Sequence, residues 1–294
     1  MIVRRSILPV LISILPILIS GQTNQWKEKC LTNNSADDRY ASYSPDGNSI
    51  VFESNRDGNW EIYLMDNEGE NVKRLTNNQA DDRRPTWHPN GKKVLFESNR
   101  SGVNELYTIK INSEKQQKLK HLSIKGDPIF AEFSPNGENI AVSIQESEQE
   151  SDIVLLDKNG KFLKRLIFNG FRNFYPKWST RGTSILFFSR KDTENQDDEI
   201  YRLDLITEAE NRLTEWPKHN FCPSWSADNS QIVYVTSMEG TRPEIFIMNA
   251  NGTNKQRITH NKDGETLPSW HPTEDKILVT AYRNGNYEIC VLMQ

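Results

Sequence analysis

Residues 75–91 read Leu75-Thr76-Asn77-Asn78-Gln79-Ala80-Asp81-Asp82-Arg83-Arg84-Pro85-Thr86-Trp87-His88-Pro89-Asn90-Gly91. Residues 31–47 read Leu31-Thr32-Asn33-Asn34-Ser35-Ala36-Asp37-Asp38-Arg39-Tyr40-Ala41-Ser42-Tyr43-Ser44-Pro45-Asp46-Gly47, the same pattern 44 residues upstream. A repeat of this period decides the fold before any local propensity does. One such unit cannot bury its own apolar face and has to stack on its neighbours.

Outward from this pair, the aromatic before the turn recurs at Tyr43, Trp87, Phe133, Trp178, Trp225 and Trp270, with spacings of 44, 46, 45, 47 and 45. A second landmark, an acid followed by an aliphatic residue, keeps step at Glu61-Ile62, Glu105-Leu106, Asp152-Ile153, Glu199-Ile200, Glu244-Ile245 and Glu288-Ile289. Each copy divides into four short strands. The first ends at the aromatic and turns through Ser-Pro-Asp-Gly or a relative of it, where proline presets φ and glycine accepts a positive φ. The second is an apolar run such as Ile50-Val51-Phe52 or Val94-Leu95-Phe96, the mark of a strand covered on both faces. The third carries the acid-aliphatic pair, and the fourth is typified by Val72-Lys73-Arg74-Leu75-Thr76. No helical periodicity follows residue 21. The expected fold is all-β: a six-bladed β-propeller of four-stranded antiparallel blades.

The ends of the chain are expected to close the ring. The last copy stops after its third strand, while an orphan fourth strand, Lys27 to Thr32, precedes the first copy. Carrying the register of the first blade (Tyr63 opposite Arg74) to the closing blade places Cys290 opposite Cys30 and Ile289 opposite Leu31. A Cys30–Cys290 disulfide follows, with Cys222 left as a buried thiol. Residues 1–21 read as an export signal, with Arg4 and Arg5 ahead of an apolar run and a small-residue cleavage zone at Ser20-Gly21. That apolar run, about 15 residues with two prolines, is short for a membrane span. The expectation is a leader at 1–21, a propeller at 22–294, no membrane span once the leader is removed, and a periplasmic or secreted location in which disulfides persist.

Pro85-x-Trp87-His88-Pro89-Asn90-Gly91, Ser98-Asn99-Arg100-Ser101-Gly102, Glu105-Leu106-Tyr107 and the closing Arg-Leu-Thr of residues 74–76 and 212–214 resemble the WD40-like repeats of TolB-type propellers. The resemblance covers about residues 27–294 and implies a bacterial periplasmic protein–protein scaffold. The family's namesake carries an α/β domain ahead of its propeller, whereas here the repeats begin within a few residues of the leader.

Loops leading into each first strand are expected to gather at the mouth of the central channel. They carry Asp37, Asp38, Arg39, Asp81, Asp82, Arg83, Arg84, Asp127, Arg172, Tyr175, His219, Asp263 and Glu265. Mixed charges and aromatics held by a rigid scaffold suit recognition of a protein or peptide of the cell envelope. The arginines can grip a carboxylate by paired hydrogen bonds. The plainer reading of any one aspartate is that it caps a turn and pairs with a nearby arginine. As solvated loop residues, Asp82, Arg84 and Arg172 are expected to tolerate charge reversal within about 0.5 kcal/mol of stability.

A net charge of −4 advertises no nucleic-acid surface. His88 and His271 fill the slot of Ser44 and Ser134 and read as turn residues. No His-Glu-x-x-His, Cys-x-x-Cys or Gly-x-Ser-x-Gly spacing occurs, so neither a metal, nor a cofactor, nor a serine nucleophile is expected. The acidic insertions at 145–152 and 191–199 lack the glycine-spaced pattern of a calcium loop and read as solvated hairpin tips. The leading expectation is a non-enzymatic binding or scaffold protein. The alternative is a lyase or hydrolase with active groups assembled across the channel, His219, Tyr175, Arg172 and Asp263 being the group to suspect.

Overall fold

A computed structural model describes residues 26–120, 125–193, 197–215, 219–237 and 242–294. The leader, His121, Lys218 and the turn at Glu239-Gly240 lie outside them. The described chain forms six four-stranded antiparallel sheets. Blade 1 consists of Asp38–Tyr43, Ser49–Ser54, Glu61–Asp66 and Lys73–Arg74. Blades 2 to 5 repeat this order, and blade 6 joins Glu265–Trp270, Lys276–Arg283 and Asn286–Met293 to Lys27–Cys30 from the other end of the chain. The first strand of each blade touches the first strands of both neighbours, so the six form a closed ring around the axis. Among the described residues no helix is long and apolar enough to cross a membrane.

Second strands are buried on both faces because each sheet is sandwiched between two others. Ile50, Val51 and Phe52 are fully buried. Val51, Ile62 and Leu75 of blade 1 form one apolar cluster with Val94, Phe96, Tyr107 and Ile109 of blade 2. The junction that closes the ring is packed in the same way, with Tyr43, Phe52, Tyr63 and Met65 against Leu278, Ile289 and Val291 of blade 6. His271 sits there as well, edge-on to Tyr43 with ring centroids 4.5 Å apart. A side chain at Gly47 would begin 2.5 Å from the His271 ring, which is why this turn residue (φ 74°) has none.

The two sequence landmarks meet each other across the blade. In blades 1, 4 and 5 the backbone N–H of Ile62, Ile200 or Ile245 donates to the hydroxyl of the Arg-Leu-Thr threonine or its equivalent (Thr76, Thr214, Thr259) at 2.9 Å. The paired acid holds the arginine two residues earlier: Glu61–Arg74 at 2.8 Å, Glu199–Arg212 at 3.1 Å and Glu244–Arg257 at 2.5 Å. In blade 6 the threonine comes from the far end of the chain. Thr32 donates to Glu288 Oε2 at 2.6 Å and accepts from the Ile289 N–H at 2.9 Å. Cys30 occupies the arginine slot, pairs in register with Cys290 and is disulfide-bonded to it across 260 residues of sequence. The chain-entropy model puts such a long loop near an upper figure of about 5 kcal/mol. Cys222 is free and buried.

Thr32 is buried. Thr32→Val strips a buried carboxylate and a buried amide of their shared partner, and should cost about 1–3 kcal/mol in urea unfolding. An unchanged midpoint would mean that the clasp does not hold the ring. Trp225, also buried, should cost about 3–5 kcal/mol on truncation to alanine. A loss below ~1 kcal/mol would contradict its place between blades.

Candidate functional site

Each first strand begins at one face of the ring, the mouth, and runs inward. Asp38, Asp82 and Glu265, at those starts, are fully buried. Asn34, Asn78 and Asn261, each four residues earlier, donate to them at 2.7, 2.8 and 2.7 Å. An arginine 18 residues later closes the clamp: Arg56 on Asp38 at 2.9 Å, Arg100 on Asp82 at 2.6 Å, and Arg283 on Glu265. Burial raises the Asp82 carboxyl above its usual range, while Arg100 and Ser98 oppose that rise. The expectation of a solvated, reversal-tolerant side chain therefore fails at Asp82, and Asp38 and Glu265 are buried in the same way. The loops double back so tightly that the second acid of each Asp-Asp pair turns inward to tie its loop to the next hairpin.

Asp37 and Asp81 are half-buried and bridge blades, accepting the backbone N–H of Tyr287 at 3.0 Å and of Trp60 at 3.1 Å. Arg39 pairs with Asp37 at 2.7 Å and Arg83 with Glu53 at 3.2 Å, as the plainer reading of the loop acids expects for Asp37, and 28% and 30% of the two arginine side chains remain exposed. Arg39 lies 4.1 Å from the Tyr287 ring centroid and 5.2 Å from that of Trp60, and Arg83 lies 4.7 Å from the other neighbour of that stack, Trp60. Cations and aromatic faces thus alternate across blades 6, 1 and 2, a favourable electrostatic stack. Across the mouth, Arg172 leans on Phe174 at 4.8 Å, and burial followed by the charge of Arg190 lowers its pKa. His219 Nδ1 lies 3.1 Å from the Asp198 backbone N and 3.2 Å from its Oδ2, and Nε2 lies 3.6 Å from Asp197. Asp127 and Asp263 are exposed.

Beneath the mouth the channel is filled. Tyr40, Arg84, Phe130, Tyr175, Cys222 and Leu267 hold the same place in the six first strands, and all have a left-handed backbone, with φ between 49° and 63°. Each marks a bulge where the pairing register shifts. Four of them precede a proline that has no N–H for the ladder, a residue that sheets accept at bulges. The bulge turns the side chains toward the axis. Phe130 packs on Tyr40 at 6.2 Å and on Tyr175 at 5.4 Å, and Arg84 covers Phe130 at 4.7 Å.

Buried Glu97 holds this layer by accepting Arg84 Nη1 at 2.5 Å and the Phe130 N–H at 2.7 Å. Glu53 does the same one blade earlier, accepting the Arg84 N–H at 2.7 Å. The space left is about 30 Å³, enough for a water or two. Arg84 and Tyr175, expected as open loop residues, belong to this plug.

Burial pushes the Tyr40 hydroxyl up to about 12, and raises those of Tyr175 and the Cys222 thiol as well. None is poised for proton transfer near neutral pH. The suspected group of His219, Tyr175, Arg172 and Asp263 is divided between the plug and separate loops. Among the described residues, one group of three metal-ligating side chains comes together, Glu28 with Cys30 and Cys290. Its two sulfurs are bonded to each other. In the acidic insertion of blade 3, Asp152 is tied to Arg165.

Sequence reasoning missed the plug and its two glutamates. Usable signals were the proline two residues before four of the aromatics, and a lone glutamate closing each apolar run at Phe52-Glu53 and Phe96-Glu97.

With this geometry in hand, the comparisons take a definite shape. The TolB beta propeller domain model matches residues 20–194 and 191–293. An uncharacterized protein of Agrobacterium fabrum, Atu1656, is 29% identical over 178 residues, 56% of this chain and 59% of that protein. The Tol-Pal system protein TolB of Ruthia magnifica is 36% identical over 93 residues, 30% of this chain and 22% of that protein. The chain thus spans less than two thirds of these relatives. TolB from Acinetobacter baumannii superposes with a TM-score of 0.65 at 18% identity, covering 88% of this chain and 64% of that one. An oligogalacturonate lyase from Vibrio parahaemolyticus gives 0.61 at 14% identity, covering 92% and 94%. At those identities the likeness is one of fold alone, but the domain model spans nearly the whole ring: this chain belongs to the TolB β-propeller family.

Proposed function

We propose that this propeller is an exported, non-enzymatic binding protein that takes a protein or peptide of the cell envelope at its channel mouth. The observation carrying this reading is the plug. The plug leaves a space of about 30 Å³ among its side chains, too small for a substrate there, which favours ligand contact at the rim above it. There Arg39, Arg83, Arg172, His219, Asp127 and Asp263 offer both signs of charge beside Trp60 and Tyr287. Arginine, tryptophan and tyrosine are the side chains that dominate binding energy at protein interfaces. Export is supported by the leader pattern of residues 1–21 and by the Cys30–Cys290 bond, since disulfides persist outside the reducing cytosol. The lyase-type alternative has the overall shape on its side, and burial raises the Glu97 carboxyl, but Tyr40, Tyr175 and Cys222 are held away from proton transfer.

The test is capture from envelope extract on the immobilised protein, comparing wild type with the triple variant Asp127→Lys/Arg172→Glu/Asp263→Lys. The captured partner should fall by about tenfold or more while stability stays within about 0.5 kcal/mol. Undiminished capture by the variant would remove the mouth as the binding face.

A further inference from the structure

A second charged surface lies away from the mouth, on the outer side of the junction between blades 2 and 3. It is a groove of about 380 Å³ whose walls include Lys93, Lys120, Lys158 and Lys161, with Gln117 and Asn159 between them. Lys110 stands close enough to act on Lys93. Lys158 is paired with Glu138 at 2.8 Å. The one acid in the wall, Asp157, is occupied by the backbone N–H groups of Asn159 at 2.8 Å and Lys161 at 2.9 Å. Among the described residues, no carboxylate pairs with Lys93, Lys110, Lys120 or Lys161.

The repeat marks these lysines as departures. Lys120 stands where Thr32, Thr76, Thr214 and Thr259 clasp the third strand in other blades. Lys158 fills a slot held by Asn67, Ile111, Leu205 and Ala250. Lys93 aligns with Ser49, Asn139, Ser184 and Gln231, all neutral, and with Lys276, which has Glu274 at 2.7 Å. Lys93 has a partner in the Phe133 ring, 5.1 Å away, and Lys158 has one in Glu138, whereas Lys120 gives up the threonine clasp and its side chain pairs with no carboxylate among the described residues. Such departures from a repeat's own rule are where function is expected. The positive field is only partly offset: burial first, then Lys158 and Lys110, lower the pKa of Lys93 against the opposing charge of Glu138, and Asp157 lies within reach of the charge of Lys161. All this occurs on a chain of net charge −4.

We infer that the groove between blades 2 and 3 is a docking site for an acidic, extended peptide segment of a protein partner. Several ammonium groups strung along a cleft suit carboxylates spaced along a chain, each lysine acting as a point charge. The side-chain amides of Gln117 and Asn159 suit the hydrogen-bonding backbone of such a segment. The groove's walls include no aromatic residue for a sugar ring to stack on. The site is independent of the mouth and stands or falls apart from it.

The test uses a dye-labelled oligoglutamate peptide and fluorescence anisotropy at low and at near-physiological salt. Wild type should bind it, and added salt should weaken the complex. Lys120→Glu/Lys161→Glu should lower affinity by about tenfold or more, whereas Lys255→Glu/Lys262→Glu, the same charge change elsewhere, should lower it by about twofold or less. If the reversed pair fails to fold, Lys120→Gln/Lys161→Gln takes its place. Equal losses in the two pairs, or no binding by wild type, would overturn the proposal. So would polyphosphate or phosphatidylglycerol vesicles displacing the peptide and binding more tightly than it does.

Discussion

The threonine that joins the two ends of the chain carries more of this structure than any other single side chain. Thr32 reaches Glu288 and the Ile289 backbone, and so supplies blade 6 with a bond that blades 1, 4 and 5 make within their own sequence. A propeller depends on such a bond because each sheet is stable only while both faces are covered. Were blade 6 to separate from blade 1, Tyr43, Phe52, Leu278 and Ile289 would meet water together. The disulfide at Cys30–Cys290 adds a covalent limit to the same opening, acting chiefly by restricting the unfolded chain.

Closure also creates the site. Six first strands held in a ring bring their bulges to one level, and the left-handed residues fill the axis there. Holding bulky residues at positive φ costs of order 1–3 kcal/mol each. Glu53 and Glu97 offset part of that cost by accepting the backbone N–H groups of Arg84 and Phe130. These two acids serve only the first three blades. Of the four equivalent positions later in the chain, Ser143 and Thr280 are buried and polar, while Phe188 and Val235 are apolar and meet Cys222 in a single cluster. The axis is therefore polar around Arg84 and apolar around Cys222, and the space left in the plug is about 30 Å³.

Much of this was legible in the residues. Blade number, strand order, closure by the N-terminal strand and the Cys30–Cys290 pairing follow from two landmarks that keep step, because a repeat transfers the register of one blade to all. The site was legible only in outline. Asp37 and Asp38 look alike in sequence, yet one bridges to the neighbouring blade and the other is buried beneath Arg56. Alternation within a turn decides which of two adjacent acids points inward, and composition does not record it. Tyr175 and Arg84 look like loop residues because the bulge that swings them to the axis is a backbone event without a glycine to announce it. The lysine groove was hidden for another reason: its members come from two repeats and are conspicuous only when compared slot by slot.

Family membership and fold agree on a closed ring of six blades, and the rigidity of that ring is the property to measure. Amide hydrogen exchange at Ile289, with the disulfide reduced, isolates the contribution of the paired chain ends from that of the covalent bond. If the ends are an integral part of the ring, this N–H exchanges only through global unfolding, with the same free energy as the amides of the buried second strands. Exchange at a distinctly lower free energy, while those strands stay protected, would show a strand that frays alone and a ring that does not depend on it.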